Sequence, residues 1–440
     1  MTRNSRQDNR QDKDPEEQPP AAAEPASDHI APVPRISVQA FCESEDTATA
    51  IRSAGEDRRL AKAHFTVKMG GIAHAIDVYQ KVPTPNVILL ETDGHSDVLD
   101  ALDQLAGVCD PGTRVIVIGN PEDDVSYREL VRRGINDYVI GPIEPLDAIR
   151  SICSLFSAAD TVPTGRIIAV VGAKGGVGAS TLAHNVAWMI ARDLALDSVV
   201  IDLDLAFGTA GLDYNKDPLQ GIANAVFQPD RPDTALMERL YAKCADNLNL
   251  LAAPATLERV YDFGAEAFDA IFDTLRMSTP CIVLDVPHQW SAWTKRVLIS
   301  ADEILVVAEP DLANLRNAKN LLKELKSSRP NDRPPLYCIN QIGLPKRPEI
   351  TVKEFAKAME SQPIAAIPFD SRIFGTAANN GQMVAEISAA HRTTKTFLQI
   401  ARVLTGRGEE KSQRSLLAPL FRTFKEKLAP RRKSRVAARQ

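Results

Sequence analysis

Strand-length apolar runs recur along this chain, and most are followed by a stretch patterned like a helix. Runs at Ile36–Phe41, Val87–Leu90, Val115–Ile118 and Asp137–Ile140 alternate with helical stretches such as Asp97–Leu105 and Tyr127–Arg133. A second series reads Ile167–Val171, Ser198–Asp202, Leu248–Ala252, Cys281–Asp285, Glu303–Val307, Leu336–Asn340 and Ile364–Ile367, with a helix over Leu182–Ala191 after its first member. Strands alternating with helices predict an α/β class with mostly parallel sheets and helices on their faces. The expected organisation is one α/β domain over 35–157, a short polar linker over 158–165 and a second, larger α/β domain over 166–405. A polar, Pro- and Gln-rich leader over 1–34 is expected to be disordered, and a basic tail occupies 406–440.

Composition narrows the classes. In 440 residues, 44% hydrophobic and 25% charged residues are ordinary for a soluble protein with proper cores. No apolar run approaches a membrane span, and the leader lacks the apolar core of a secretory signal. Cys42, Cys109, Cys153, Cys244, Cys281 and Cys338 lie far apart with no Cys-x-x-Cys spacing. That scatter predicts reduced thiols in a cytoplasmic protein and argues against disulfides, zinc or an iron–sulfur cluster.

Charge is unevenly placed. The net −5 divides into +9 over Lys411–Gln440 and −14 before it. An acidic body argues against sequence-specific nucleic-acid binding and points to a local anionic partner for the tail. On a helix beginning near Pro419, the residues Leu417, Leu420, Phe421, Phe424 and Leu428 share a face flanked by Arg422, Lys425 and Lys427. Two readings stay open there: shallow insertion into an anionic leaflet at the inner membrane, or a helix docked on the body ahead of a loose basic end.

The segment with the most chemical content is Val170-Val171-Gly172-Ala173-Lys174-Gly175-Gly176-Val177-Gly178-Ala179-Ser180-Thr181. It stands between a strand and a helix, the context in which a glycine loop binds phosphate. Gly175, Gly176 and Gly178 allow a tight curl that points backbone N–H groups at one anion, and the helix start adds partial positive charge. Val177, Ala179, Ser180 and Thr181 complete the cradle, and the Ser180 hydroxyl sits where Mg²⁺ is held. Ala179 occupies the usual position of the phosphate-binding lysine, whereas Lys174 stands ahead of the glycines.

Carboxylates end two later strands. Val199-Val200-Ile201-Asp202-Leu203-Asp204 places two aspartates at alternate positions on one face of a sheet's carboxyl edge, where ligands of such sheets bind. Cys281-Ile282-Val283-Leu284-Asp285 has the apolar-run-plus-aspartate form of a magnesium-binding strand. Asn340 ends another strand of the series, and Arg316 with Asn317 opens a helix.

Lys174 followed by two glycines resembles the deviant P-loop of the MinD/ParA family. With Leu182-Ala183-His184-Asn185, Asp204-Leu205-Ala206-Phe207-Gly208-Thr209 and Asp285-Val286-Pro287-His288, the set is similar to the CpaE/TadZ subgroup of Flp/Tad pilus-assembly proteins. The resemblance implies ATP and Mg²⁺ held between the subunits of a homodimer. Lys174 would reach the partner's nucleotide and Asp204 would position water, as the catalytic pair. Asp202 would organise the outer shell of the metal beside Ser180 and Asp285, and Asn340 would read the adenine edge. Arg316 and Asn317 would lie near the dimer face, with His288 structural or interfacial. With Ala179 in place of lysine, weak or absent hydrolysis is expected. The implied role is a cytoplasmic factor that places the pilus secretion machinery, often at a cell pole. The alternative is a turnover-driven partitioning or septum-placement ATPase, which needs hydrolysis and a DNA or membrane stimulator.

The first domain resembles a response-regulator receiver, of flavodoxin-like fold, through Gly134-Ile135-Asn136-Asp137-Tyr138-Val139-Ile140-Gly141-Pro142-Ile143. Gly141 stands where receivers carry a lysine, and Glu91 stands where the phosphoacceptor aspartate is expected. A pseudo-receiver used for docking is expected, with Glu43, Glu45 and Asp46 as acidic neighbours of Glu91.

Overall fold

The structure, a computed structural model, describes residues 29–92, 98–119, 127–156, 165–228, 232–254 and 256–407. The leader up to residue 28, nearly all of the 158–165 linker and the amphipathic tail helix lie outside the described residues.

The first sheet contains β1 (Ile36–Cys42), β2 (Ala63–Met69), β3 (Val87–Glu91), β4 (Arg114–Gly119) and β5 (Asp137–Ile140). All pair in parallel, in the order β2-β1-β3-β4-β5, which is the flavodoxin-like order. Sequence signals set the helix starts locally. Ser44 caps helix Glu45–Gly55 by accepting from Thr47 N, and the Asp147 carboxylate accepts from Glu144 N at the start of Pro145–Ser154. β2 and helix Gly71–Tyr79 were not anticipated. β2 is an edge strand, Ala-His-Phe-Thr-Val-Lys-Met, mostly half-buried, so it lacks the apolar run that marks the central strands.

The second sheet is built from β6 (Arg166–Gly172), β7 (Ser198–Asp202), β8 (Ala242–Ala245), β9 (Leu248–Leu251), β10 (Cys281–Val286), β11 (Glu303–Ala308), β12 (Leu336–Ile342) and β13 (Ala365–Pro368). Their order is β13-β12-β11-β6-β10-β7-β9-β8, and only the β8–β9 pair is antiparallel. Alternate residues of β6 serve opposite faces: Ile167, Ala169 and Val171 enter one core, Ile168 and Val170 the other. Helix Ala179–Arg192 covers the second face, backed by helix Arg392–Leu404. This is the fold of the MinD/ParA-like P-loop proteins, with β6 between β11 and β10 at the point where the strand order reverses.

A buried charge cluster joins the two sheets' layers. The Arg58 guanidinium, 10% exposed, donates to Asp332 at 2.8 and 3.1 Å, to Asp302 at 3.0 Å and to the Ser300 carbonyl at 3.3 Å. Arg59 pairs with Asp57, and Asn331 Nδ2 donates to Asp57. Arg276 and Arg329 complete the pairing of Asp302 and Asp332. Arg58 and Arg59 lie just before β2, while Asp302 and Asp332 precede β11 and β12. The two domains therefore meet at their amino-terminal sheet edges, and each carboxyl edge is left clear of the joint. Packing begins ahead of the expected domain start at Arg35: Val33 is buried with its N–H on the Arg59 carbonyl, and His29 Nε2 lies 3.3 Å from Asp302.

Candidate functional site

The glycine loop emerges from β6 at the carboxyl edge of the second sheet. Gly178, with φ +82°, ends the loop in the left-handed region, and helix Ala179–Arg192 starts directly after it. A Cβ on Gly178 would lie 2.7 Å from Asn340 Nδ2, so glycine is required there on two counts. The first intrahelical bond runs from Leu182 N to Gly178 O, which leaves the N–H groups of Ala179, Ser180 and Thr181 ahead of it, at the positive end of the helix.

Polar side chains hold the loop open from below. Asn340 Nδ2 donates to Val177 O at 2.8 Å and Gln341 Nε2 to Gly176 O at 3.0 Å. Asn317 Nδ2 donates to Ala173 O at 3.0 Å, and His288 Nδ1 lies 2.9 Å from Gly172 O. Asn340 thus spends its amide nitrogen on the loop itself, and Asn317 belongs to the loop's support. Gln341, with φ +54°, was not singled out by sequence; its neighbour Asn340 was the nearest signal.

Lys174 is half exposed, and its Nζ lies 3.8 Å from Asp311 Oδ2. Asp311 caps helix Leu312–Ser328 by accepting from Asn314 N. Partial burial opposes charge on Asp311, but the Asn314 N–H and Lys174 outweigh it and hold the carboxyl below its usual range.

Asp202 and Asp285 stand in register on adjacent strands β7 and β10, and Asp285 is also in register with Val170 of β6. Both are buried. Asp202 accepts from Asp204 N and Ala210 N, each at 3.1 Å, and it packs under Gly208, where a Cβ would come within 2.3 Å of Oδ2. Burial and then the neighbouring Asp285 charge push the Asp202 pKa up. Asp204 turns back on its own loop, accepting from Phe207 N at 3.1 Å, and is less buried than Asp202.

His184, fully buried on the helix after the loop, has two carboxylate neighbours that its sequence context does not indicate. Its Nδ1 is 2.7 Å from Asp213 Oδ2, and its Nε2 is 3.3 Å from Asp285 Oδ2, an ion-pair distance outside the angles of a straight hydrogen bond. Burial works against its charge, yet the two carboxylates prevail and raise its pKa. Its partners lie far along the chain, so no local pattern announces the cluster.

The loop, Ser180, Asp202, Asp204 and Asp285 therefore gather at one edge, with Lys174 at its rim. Large exposed apolar side chains crowd the same edge: Phe207, Leu212, Trp290 and Leu312 are each more than half exposed. The first domain's carboxyl edge is different. Glu91 ends β3 and accepts from Glu43 N, Ser44 N, Ser44 Oγ and Thr47 Oγ1 at 2.7–2.9 Å. Glu43, Asp46, Gly141 and Pro142 line the same pocket.

A family model described as an AAA domain matches residues 165–336. The septum site-determining protein MinD of Synechocystis sp. is 25% identical over 250 residues, spanning 55% of this chain and 90% of that protein. Among solved structures, a ParA family ATPase from Chlorobium tepidum is 25% identical, covering 54% of this chain and 98% of its own, with a TM-score of 0.49. The pilus assembly protein CpaE from Caulobacter crescentus is 44% identical, covering 29% of this chain and 98% of its own, with a TM-score of 0.28.

Proposed function

The chain is a CpaE-like protein of the MinD/ParA superfamily, and on that premise we propose that it binds Mg²⁺ and ATP to control self-association in pilus assembly. The residues fit such a ligand. Gly175 and Gly176 have open space beside them, the amides of Ala179, Ser180 and Thr181 precede the first intrahelical bond, and Asp202 and Asp285 stand in register on adjacent strands. Phosphates would rest on the backbone from Gly175 to Thr181. The metal would be held by the Ser180 hydroxyl, with Asp285 and Asp202 accepting from its water shell. Bound Mg²⁺ supplies charge neutralisation at the phosphates. Asp204 is the water-positioning group.

The observation that carries this reading is the division of labour between Lys174 and Ala179. The loop keeps its cradle but has a methyl group where the usual lysine stands, while its lysine projects at the rim. A cation so placed serves a phosphate on a second copy better than one in its own cradle. The exposed apolar residues of the same edge give that copy a surface to cover. Nucleotide then acts chiefly as dimer glue, and turnover is slow. The pseudo-receiver, with Glu91 already satisfied by four donors, docks partners and accepts no phosphoryl group. We place the protein in the cytoplasm, acting on the pilus secretion machinery, with the basic tail as an additional contact to an anionic membrane surface.

Titration with a fluorescent ATP analogue, with and without Mg²⁺, followed by light scattering of the loaded protein, tests the reading. Mg²⁺-dependent binding and a doubled mass are expected; an unchanged monomer rejects it. A second reading has its own support, since the MinD relative is matched over nearly its whole length: a turnover-driven septum-placement or partitioning ATPase. Hydrolysis stimulated by DNA or anionic vesicles would favour it.

A further inference from the structure

His184 has no exposed surface, so it cannot touch a nucleotide or metal directly. It nevertheless closes a circuit of contacts around the carboxylates. Its Nε2 faces Asp285 on β10 at 3.3 Å. Asp285 stands in register with Asp202 on β7. Asp202 Oδ2 accepts from Ala210 N, the first residue of the short helix Ala210–Asp213. That helix ends in Asp213, whose carboxylate returns to His184 Nδ1 at 2.7 Å. Tyr214 tightens the last link, donating its hydroxyl to the His184 carbonyl at 2.8 Å.

We propose that His184 is a positioning residue that binds Asp285 and the 204–213 loop into one unit, so that the metal-side carboxylates and the water-positioning loop move together. The proposal rests on the Mg²⁺–ATP reading above. Its physical basis is that a buried ring hydrogen-bonded to Asp213 through Nδ1, with Nε2 at ion-pair distance from Asp285, restrains both carboxylates it faces. Such outer partners set the metal affinity of the groups they orient. A histidine that merely filled the core would need neither carboxylate. Asp213, with 23% of its side chain exposed, would be free to face water.

The test is equilibrium binding of a fluorescent ATP analogue, in Mg²⁺ and in EDTA, to the full chain carrying His184→Phe, Asp213→Ala or Asp213→Asn. Thermal melts followed by circular dichroism check that each variant is folded. His184→Phe and Asp213→Ala should lose about tenfold or more of the affinity gained from Mg²⁺ while keeping wild-type affinity in EDTA. Asp213→Asn, which still offers an oxygen to Nδ1–H, should keep the gain. If His184→Phe fails to fold, Asp213→Ala decides alone. Folded variants with the wild-type Mg²⁺ gain, or with equal losses in Mg²⁺ and EDTA, overturn the role of His184. A wild-type protein that gains nothing from Mg²⁺ overturns the nucleotide reading as well.

Discussion

Replacing Arg58 with alanine removes the guanidinium that joins the two domains. Arg58 forks onto Asp332 and also reaches Asp302 and the Ser300 carbonyl, with side chains on both sides of the joint nearly buried. Breaking a buried pair from one side costs about 3–5 kcal/mol, because the remaining charge stays desolvated. Here Asp302 keeps Arg276 at 2.7 Å and Asp332 keeps Arg329 at 2.9 Å, which favours the low end of that range. About 3 kcal/mol with a urea slope near 3 kcal/mol/M shifts the unfolding midpoint by roughly 1 M. Arg58→Lys should recover only part of this, since an ammonium cannot fork onto a carboxylate. Urea titration by circular dichroism makes the measurement, and calorimetry asks whether the two domains of the variant unfold in more separate transitions than those of wild type. A loss below about 1 kcal/mol, the range of exposed ion pairs, would refute the buried joint. The pH dependence has a definite sign. Burial disfavours charge on Asp302, but Arg276 and Arg58 hold its pKa well below the ordinary value. A depressed folded pKa gives stabilisation that is complete above the unfolded value of about 3.9 and is lost as pH falls through the folded one. The domains should therefore stay docked at mildly acidic pH and separate only in strong acid.

Gly208→Ala would drive a methyl group into Asp202 and should weaken Mg²⁺-dependent nucleotide binding by about tenfold or more, as loss of a group that orients a metal shell does; calorimetric titration reads it. Glu91→Ala should destabilise the first domain by about 1–3 kcal/mol by orphaning its donors, seen as a lower melting temperature, and incubation with acetyl phosphate should leave wild type unmodified by mass. Ala179→Lys restores the usual cation and should tighten ATP by about 1.5–3 kcal/mol in the same fluorescent titration.

The sites were more legible than their supports. Central strands announced themselves because a strand buried on both faces is a continuous apolar run, and those runs end in the residues that gather at the proposed site: Gly172, Asp202, Asp285 and Asn340. Edge strands carry no such signal. β2 places His64 and Lys68 among its residues, and β8 is a four-residue antiparallel strand, so neither rose above its surroundings. Arg58 and Arg59 sit in a polar stretch that reads as solvated surface; only the tertiary fold brings Asp302 and Asp332 to them. The same holds for His184, whose two carboxylates come from separate elements, and for Asp311, whose capping role was local but whose contact with Lys174 was not.

The central claim is that Lys174 works on a second copy of the chain. Light scattering of wild type and Lys174→Ala, side by side with Mg²⁺ and a slowly hydrolysed ATP analogue, tests it most directly. Wild type should form a nucleotide-dependent dimer and Lys174→Ala should stay monomeric while still binding nucleotide, with its affinity weakened by about 1.5–3 kcal/mol for the lost charged contact. A Lys174→Ala protein that dimerises as fully as wild type would contradict it.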